Sequence, residues 1–347
     1  MKIEELDANM KIEALTRTDI AWYSPLEAPF TLHGVFFDDV YRRVPKDVAE
    51  ATSEGVAALA TNTAGGRVRF CTDSPFVAVH AEMKEVCRMN HMAFSGIFGF
   101  DCYTEKGFAG PLRGSVDMKD GFESEVPLPN DGKLHTVTIG FPLYNNVDKL
   151  LIGVKEGSRV EAAAPYTYEK PVVYYGSSIT QGGCASRPGT SYQAFVSRKL
   201  DCDYINLGFS GNAKGEKAIT DYIASLPMSV FVMDYDHNAP TAEHLAATHE
   251  PMFQAIRRAQ PDLPVIFVTK PDVWLHEAQA RVRRDIIYAT YSRAVAAGDQ
   301  NVAFIDGSTL FAGEGWQDCT VDGCHPTDLG FFRMAQVIGN EVAKRLK

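Results

Sequence analysis

The chain has 347 residues, a formal net charge of −10 at pH 7 and a hydrophobic fraction of 45%. This length suits two domains with buried cores, and the composition is that of an ordinary folded protein. The net negative charge opposes binding to nucleic-acid phosphates and to anionic membrane surfaces, so neither is an expected partner. The first residues, MKIEELDANMKIEAL, are rich in carboxylates and lack an apolar segment, which predicts neither a secretory signal nor a membrane span.

The cysteine content bears on compartment and on metal binding. Seven cysteines are spread along the chain: Cys71, Cys87, Cys102, Cys184, Cys202, Cys319 and Cys324. An odd number in a chain of this size predicts reduced thiols and a cytoplasmic location. Cys319, Cys324 and His325 raise the question of zinc, but without a CxxC pair or a second histidine at ligand spacing we predict no metal centre.

Up to about residue 165, short strand-like segments alternate with turn-rich ones. VRFCT, FVAVHAEM, HTVTIGF and KLLIGV are separated by stretches such as TAGG, PNDG and YNN. In HTVTIGF, Val137, Ile139 and Phe141 fall on one face, as a half-buried strand requires. We therefore predict an N-terminal all-β sandwich of jelly-roll type over residues 1–165.

From residue 171 the pattern changes to strand-like runs that alternate with helix-length segments. The runs are PVVYY, DYINLG, SVFVMD, PVIFVT and NVAFID, and the helical segments cover residues 190–200, 215–225, 242–259, 276–297 and 328–346. Runs without polar alternation are typical of strands covered by helices on both faces. Five such units predict an α/β fold, a doubly wound five-stranded parallel sheet over residues 171–347.

Polar residues and glycines follow the carboxyl end of each predicted strand. They occupy residues 176–178, 208–212, 234–240, 270–274 and 316–328. Ligands of open α/β sheets bind at this edge, so we expect the functional side chains to meet there.

The residues at this edge have the chemistry of acyl transfer. Ser178 can act as the nucleophile, His325 as its base, and Asp322, three positions before the histidine, as the group that orients the imidazole. The backbone N–H groups of Ser178 and Gly211 and the side-chain amide of Asn238 can donate hydrogen bonds to an oxyanion.

Four short blocks resemble the SGNH hydrolases, also called GDSL-type esterases and lipases. GSSIT at residues 176–180 resembles the family's G-D-S-[LI]-T, NLGFSG resembles N-x-G-x-S-G, and DGCHP resembles D-x-x-H-P, whereas YDHNAP keeps only the asparagine of G-x-N-D. The resemblance implies a flavodoxin-like catalytic domain with Ser178, His325 and Asp322 as the triad, Gly211 and Asn238 as oxyanion donors, and no cofactor. Ser177 stands where the family has aspartate.

The first half carries a fifth block. GFDCY, residues 99–103, is similar to the G-x-D-[L/C]-Y tag of a domain that precedes certain bacterial SGNH domains. This resemblance implies a two-domain esterase whose substrate is a small-molecule ester, in several relatives an acetylated sugar. An acyltransferase that uses the same serine and a non-catalytic carbohydrate-binding protein are the alternatives, and the sequence carries no signal for oligomeric state.

Each candidate also has a purely structural explanation. A serine after a strand can cap the next helix, Asp322 and Asn238 can form turns, and Gly211 can serve a positive φ. GSSITQGG lacks the glycine spacing of a dinucleotide fingerprint and the lysine of a P-loop, so nucleotide binding is not predicted. Asp234 and Asp236 alternate at a strand end and should face opposite ways rather than share a metal.

Three further residues are weaker candidates for substrate binding. Arg187 lies in the loop after the nucleophile, where it could meet substrate, brace Asp236 or form a surface salt bridge. Trp274 and Trp316 occupy loops at the same edge, where an indole could stack on a sugar or pack one loop against another. Cys184 and Cys324 each adjoin a catalytic candidate, which predicts that their thiols are neighbours, although buried cysteines commonly serve as small apolar fillers.

Overall fold

Twelve strands and four short helices form the N-terminal half in the computed structural model, which describes residues 3–12, 14–115 and 117–347. The strands are β1 (Ile20–Tyr23), β2 (Thr31–His33), β3 (Phe36–Phe37), β4 (Tyr41–Arg42), β5 (Arg67–Thr72), β6 (Phe76–Glu82), β7 (Phe100–Thr104), β8 (Gly107–Leu112), β9 (Gly121–Pro127), β10 (His135–Gly140), β11 (Lys149–Lys155) and β12 (Val160–Glu161). The helices are α1 (Ile3–Leu6), α2 (Lys46–Thr52), α3 (Glu54–Leu59) and α4 (Phe94–Ile97).

Ten of these strands form two antiparallel sheets around one hydrophobic core, and β3 and β4 form a separate two-stranded sheet. One sheet has the order β1-β11-β6-β9, and the other has the order β12-β5-β10-β7-β8 with β2 added beside β5. In β10, Val137 and Ile139 are buried while Thr136 and Thr138 are only half-buried on the opposite face, as the alternating sequence predicted. The antiparallel β-rich N-terminal half is thus confirmed, and its jelly-roll classification stays a prediction.

Within the described residues, the C-terminal half contains five strands, six α-helices and four short 3-10 helices. The strands are β13 (Tyr168–Gly176), β14 (Cys202–Gly208), β15 (Val230–Asp234), β16 (Val265–Val268) and β17 (Val302–Ile305). The helices are α5 (Ser178–Gln181), α6 (Tyr192–Leu200), α7 (Lys217–Ser225), α8 (Ala242–Ala259), α9 (Glu277–Ala296) and α10 (Asp328–Ala343).

The five strands form one parallel sheet in the order β14-β13-β15-β16-β17. Different helices cover the two faces of this sheet. Tyr174 of β13 packs in a cluster with residues of α6 and α10, whereas Tyr175 packs in a cluster with residues of α7, α8 and α9. The predicted doubly wound α/β sheet is confirmed. Because β14 and β15 flank β13, the loops that follow these three strands meet at one edge.

The two halves are packed into each other. Helices α2 and α3 contribute Ala49 and Val56 to the cluster that also holds Tyr175 and α7. The fully buried Arg43 donates hydrogen bonds to the carbonyl oxygens of Asn206 (3.1 Å) and Gly208 (2.6 Å) at the end of β14. A division of the chain near residues 165–171 stays a prediction. Across the described part of the chain, none of the helices combines the length and apolarity needed to cross a membrane.

Candidate active site

The turn between β13 and α5 presents Ser178. Ser177 caps the helix, because its hydroxyl accepts a hydrogen bond from the N–H of Ile179 at 3.2 Å. At Gly176 an added Cβ would lie 2.3 Å from the carbonyl oxygen of Asp234, so only glycine lets the strand end approach the neighbouring loop so closely. The serine that replaces the family's aspartate therefore still supplies the cap, and Ser178 emerges half-buried as the first residue of α5.

The three candidate triad residues lie within hydrogen-bonding distance of one another. Ser178 Oγ is 2.9 Å from His325 Nε2, although the two residues are 147 positions apart in sequence. His325 Nδ1 is 2.8 Å from Asp322 Oδ2. The arrangement has the order nucleophile, base and orienting carboxylate that acyl transfer requires.

Local hydrogen bonds fix the Asp322 carboxylate. Its Oδ1 accepts from the backbone N–H groups of His325 (2.7 Å) and Cys324 (3.0 Å), which leaves Oδ2 to the imidazole. Burial alone would raise the pKa of Asp322, but the hydrogen bonds from the His325 side chain and from the two N–H groups outweigh it and lower the pKa to about 2. An ionised Asp322 accepts from Nδ1–H of His325, so Nε2 is left to accept the proton of Ser178.

The loop after α5 is tied to the loop that carries His325. The N–H of Cys184 donates to the carbonyl oxygen of Pro326 at 3.1 Å. Ser186 donates to the Asp328 carboxylate from its N–H, at 2.9 Å, and from its hydroxyl. These bonds hold the His325 imidazole next to Ser178 at the edge of the sheet.

The predicted oxyanion donors follow the carboxyl ends of β13, β14 and β15. Within the described chain, the backbone N–H groups of Ser178 and Gly211 have no hydrogen-bond acceptor. Gly211 has a φ of +70°, which favours glycine, and nothing lies within 4 Å of a hypothetical Cβ at this position. The Asn238 amide donates one hydrogen to the carbonyl oxygen of Phe209 at 2.7 Å, and among the described residues nothing accepts its second hydrogen. That second hydrogen is available to a ligand.

The acidic residues after β15 have separate partners. Asp234 is buried and accepts hydrogen bonds from Thr180 (3.0 Å) and Tyr192 (3.1 Å), and burial raises its pKa to about 7. Asp236 accepts from Arg283 at 3.1 Å. The two carboxyl groups thus have different partners, as the alternating positions of Asp234 and Asp236 at the strand end predicted. Through its hydrogen bond with Thr180, Asp234 also holds α5 in place.

Arg187 does not brace Asp236, since Asp236 is held by Arg283. The Arg187 guanidinium instead contacts the carboxylate of Asp101, at 3.1 Å, and the hydroxyl of Tyr103. Both partners belong to the GFDCY block of the N-terminal half, so this arginine joins the two halves rather than pointing to the triad.

The two tryptophans pack against each other. The rings of Trp274 and Trp316 lie 5.1 Å apart in a T-shaped arrangement, and Trp274 also contacts Phe311. The loop-packing explanation accounts for Trp274. Trp316 keeps 41% of its surface exposed, so its indole remains accessible to a ligand.

Sequence reasoning missed two residues from the N-terminal half. The ring of His91 lies 5.3 Å from the ring of His325, edge to face. The hydroxyl of Tyr144 donates to the carbonyl oxygen of Ser178 at 3.1 Å. Neither residue belongs to a recognisable motif, so the sequence carried no signal for them.

Two groups of ligand-type side chains lie nearby, each with ligand atoms within 4.8 Å of one another: His91, Asp322 and His325, and His237, Asp272 and Cys324. In the first group both imidazole nitrogens of His325 already have partners. In the second, the Lys270 ammonium lies 3.5 Å from the Asp272 carboxylate and opposes a cation. His237 Nε2 also lies 2.8 Å from Asp272 Oδ1.

The cysteines beside the triad are not activated. Cys184 and Cys324 are both free thiols, and burial raises the pKa of each to about 12. The two thiols therefore stay protonated at neutral pH, and the hydroxyl of Ser178 remains the candidate nucleophile at this edge.

Comparison with known proteins agrees with this fold. The model of the GDSL-like lipase/acylhydrolase family matches residues 169–343. The chain belongs to this family. The model for the N-terminus of SGNH-hydrolase-type esterases, GxDLY, matches residues 20–160. The protein is therefore a two-part SGNH-type hydrolase, as the sequence blocks predicted.

Several solved structures share the fold of this SGNH-type hydrolase. A GDSL-like lipase from Bacteroides ovatus superimposes with a TM-score of 0.84 and 25% identity, over 94% of this chain and 98% of that one. The salicylyl-acyltransferase SsfX3 of a tetracycline biosynthetic pathway gives 0.77 and 20%, over 95% and 98%. An acetyl xylan esterase from Butyrivibrio proteoclasticus gives 0.61 and 11%, over 95% and 99%. No curated protein sequence matches the chain.

Proposed function

We propose that the protein is a serine esterase that removes small acyl groups, above all acetyl, from a carbohydrate or another small alcohol. The observation that carries the proposal is the continuous hydrogen-bonded chain from Ser178 Oγ through His325 to the ionised Asp322, with bonds of 2.9 and 2.8 Å. Acyl transfer through a serine needs this arrangement and no redox or metal partner.

The first half of the reaction forms an acyl-enzyme. His325 Nε2 takes the proton of Ser178 as Oγ attacks the ester carbonyl, and the Asp322 carboxylate stabilises the resulting imidazolium. The N–H groups of Ser178 and Gly211 and the second hydrogen of Asn238 bind the negative carbonyl oxygen. When the carbon–oxygen bond to the alcohol breaks, Nε2 returns its proton to the departing alkoxide.

The second half releases the acid. Water takes the place of the alcohol, His325 removes one of its protons as it attacks the acyl carbon, and a second oxyanion forms between the same donors. Collapse of this intermediate breaks the bond to Ser178 Oγ, which recovers its proton from His325. Asp322 stays ionised throughout.

The substrate class is supported by the surroundings of the triad and by the related folds. Ser178 is half-buried, the His325 side chain keeps 23% exposure, and Trp316 is exposed in a loop at the same edge, so an ester on a bulky alcohol can approach. Carbohydrate esterases from Clostridium thermocellum, one crystallised with cellohexaose, share the fold at 13–14% identity.

The cytoplasmic location, inferred from the odd number of cysteines, stays a prediction.

An acyltransferase that uses the same serine is the second candidate. The fold shared with the salicylyl-acyltransferase favours this alternative, because transfer differs from hydrolysis only in the alcohol that receives the acyl group. The third candidate, a non-catalytic carbohydrate-binding protein, is disfavoured because a binding protein does not need the hydrogen-bonded chain that ends on Ser178.

A hydrolysis panel tests the proposal. Purified protein is assayed on p-nitrophenyl esters from acetyl to dodecanoyl and on acetylated xylose and glucose, with and without an added alcohol acceptor. We expect fastest turnover with acetyl esters, loss of turnover in Ser178→Ala, and unchanged turnover in Ser225→Ala, which alters an exposed serine on α7. Equal activity of the two variants would reject the serine mechanism. Acylated acceptor alcohol in excess of free acid would favour the acyltransferase. Failure of a fluorophosphonate to label the protein would favour the non-catalytic binding protein.

A further inference from the structure

The turn that carries Asn238 departs from the family pattern on both sides of the asparagine. When YDHNAP is aligned with G-x-N-D, Asp236 stands where the family has glycine and Ala239 stands where it has aspartate. Residues Asp236–Asn238 form a 3-10 helix between β15 and α8. A catalytic donor must keep its place, because a displacement of about 1 Å can cost about 10²-fold in rate. The contacts that hold this turn therefore bear on how Asn238 is aimed.

One guanidinium holds the backbone on both sides of Asn238. Arg283 of α9 donates from Nη1 to the carbonyl oxygen of Asp236 at 2.6 Å, and from Nη2 to the carbonyl oxygen of Ala239, also at 2.6 Å. Because the guanidinium is planar and rigid, its two nitrogens fix the spacing between these carbonyl groups. Asn238 lies in the segment between them, so its backbone is held from both ends.

The Asp236 carboxylate holds the guanidinium in place. Its Oδ1 accepts from Nη1 of Arg283 at 3.1 Å, and its Oδ2 accepts from the backbone N–H of Lys270, in the loop after β16, at 3.0 Å. The side chains of Asp236 and Arg283 are only 1% and 14% exposed, so solvent weakens their attraction little. A glycine in place of Asp236 could not make these contacts. This support therefore depends on the aspartate that replaces the family's glycine.

The Asn238 side chain turns away from this network, toward the loop after β14. Its amide donates one hydrogen to the carbonyl oxygen of Phe209 at 2.7 Å, two residues before Gly211. Because the amide is planar, the direction of its second hydrogen follows from that bond and from the position of the Asn238 backbone. The second hydrogen keeps its aim only while the turn and the Phe209 carbonyl group keep their relative position.

We propose that Arg283 is a positioning residue for the oxyanion donor Asn238. By holding the carbonyl groups of Asp236 and Ala239, it keeps the second amide hydrogen pointed at the place where the ester oxygen becomes negative. Arg283 acts through Asn238 and not through the triad. The proposal rests on the proposed acyl transfer and adds to it a residue from α9.

Arg283→Lys tests this role. Lysine keeps a positive partner for Asp236, but its single ammonium cannot hold two carbonyl groups at a fixed spacing. We expect kcat on p-nitrophenyl acetate to fall by about tenfold or more with KM within about threefold, since the donor acts mainly in the transition state. Arg281→Lys changes an exposed arginine on the same helix and should leave kcat within about twofold.

A double-mutant cycle separates positioning from general stabilisation. In the Asn238→Ala protein, Arg283→Lys should lower kcat by less than about threefold more, because the donor that it aims is already absent. An equal loss in both backgrounds would overturn the proposal. Unchanged kcat in Arg283→Lys, together with the expected losses in Ser178→Ala and Asn238→Ala, would also overturn it and would leave the esterase intact.

A measurement on the amide itself does not depend on turnover. The side-chain NH₂ signals of Asn238 in the NMR spectrum are identified as those that disappear in Asn238→Ala. Arg283→Lys should shift these signals, whereas Arg281→Lys should leave them in place. Asp236→Asn, which keeps the shape of the side chain and weakens its hold on Arg283, should give the same pattern and decides the matter if Arg283→Lys does not fold. Unmoved signals would overturn the positioning role whether or not the protein proves to be an esterase.

Discussion

Asp322→Asn is the substitution that most directly tests the proposed triad. Oδ1 of Asp322 accepts two backbone N–H groups, at 2.7 and 3.0 Å. An asparagine keeps those two bonds only by placing its carbonyl oxygen there, so its NH₂ group then faces His325 Nδ1. The imidazole must accept at Nδ1 and carry its hydrogen on Nε2, pointing at Ser178. The base is then present in the tautomer that cannot take the serine proton.

The expected loss follows from this change of tautomer. We expect kcat on p-nitrophenyl acetate to fall by about 10³–10⁴, or about 4–5.5 kcal/mol in the barrier, with little change in KM. The retained backbone hydrogen bonds should keep the loop folded, so the melting temperature should change far less than the rate. Asp318→Asn is the matched control, because Asp318 is exposed and lies in the same loop without contacting the triad. More than a tenth of the original kcat in Asp322→Asn would refute the reasoning.

The remaining predictions concern the nucleophile, the oxyanion and acid stability. Ser178→Ala should lower kcat by at least about 10³ and abolish fluorophosphonate labelling, and retained labelling would contradict the assignment. Asn238→Ala should lower kcat by about 10²–10³ with KM nearly unchanged, whereas a pure KM effect would exclude an oxyanion role. Burial lowers the pKa of His249 to about 3. Below about pH 6.5 the imidazole therefore takes up a proton in the unfolded chain but not in the folded one. The free energy of unfolding should consequently fall by about 1.4 kcal/mol for each pH unit of acidification. In His249→Asn the amide can replace Nδ1 as the partner of Thr290. Denaturation experiments between about pH 4.5 and 6.5 should then show that the free energy of unfolding depends on pH by one proton less than in the unmodified protein. An unchanged pH dependence would contradict the buried neutral imidazole.

The parallel sheet could be predicted because its signal is local. Each of its strands is an uninterrupted apolar run, and the alternation of helix-length segments fixes the fold class. The helix predicted over residues 242–259 has those bounds in the structure, whereas the one predicted to reach residue 346 ends at Ala343. Helix ends depend on capping and on contacts with other elements, which the periodicity does not record.

The edge of the sheet that carries the candidate site could also be predicted, because topology alone brings the loops together. Ser178, Gly211 and Asn238 follow three strands that turned out to be neighbours, and Asp322 and His325 share one short motif. Helices α2 and α3 could not be predicted in the same way. Their buried Ala49 and Val56 join the cluster that holds Tyr175 and α7 of the C-terminal half, residues far apart from them in sequence.

The partner of Arg187 was missed for a related reason. The sequence analysis named Asp236, at the same edge of the sheet, as a residue that Arg187 could brace, whereas the structure pairs Arg187 with Asp101 of the other half. A charged side chain can reach any carboxylate that folding brings near it, and sequence spacing constrains this choice only within a helix or a hairpin.

The contacts across the two halves indicate that the N-terminal half is part of the catalytic unit rather than an appended module. Gln181, at the end of α5, donates from Nε2 to the carbonyl oxygen of Leu143 at 3.1 Å, while its Oε1 accepts from the N–H of Ser210 at 2.9 Å. This one buried side chain therefore links the N-terminal half to the residue before Gly211. Tyr144, next to Leu143, donates to the carbonyl oxygen of Ser178 itself. Because removal of either partner would leave a buried polar group unpaired, the positions of the candidate nucleophile Ser178 and of the candidate oxyanion donor Gly211 depend on the N-terminal half.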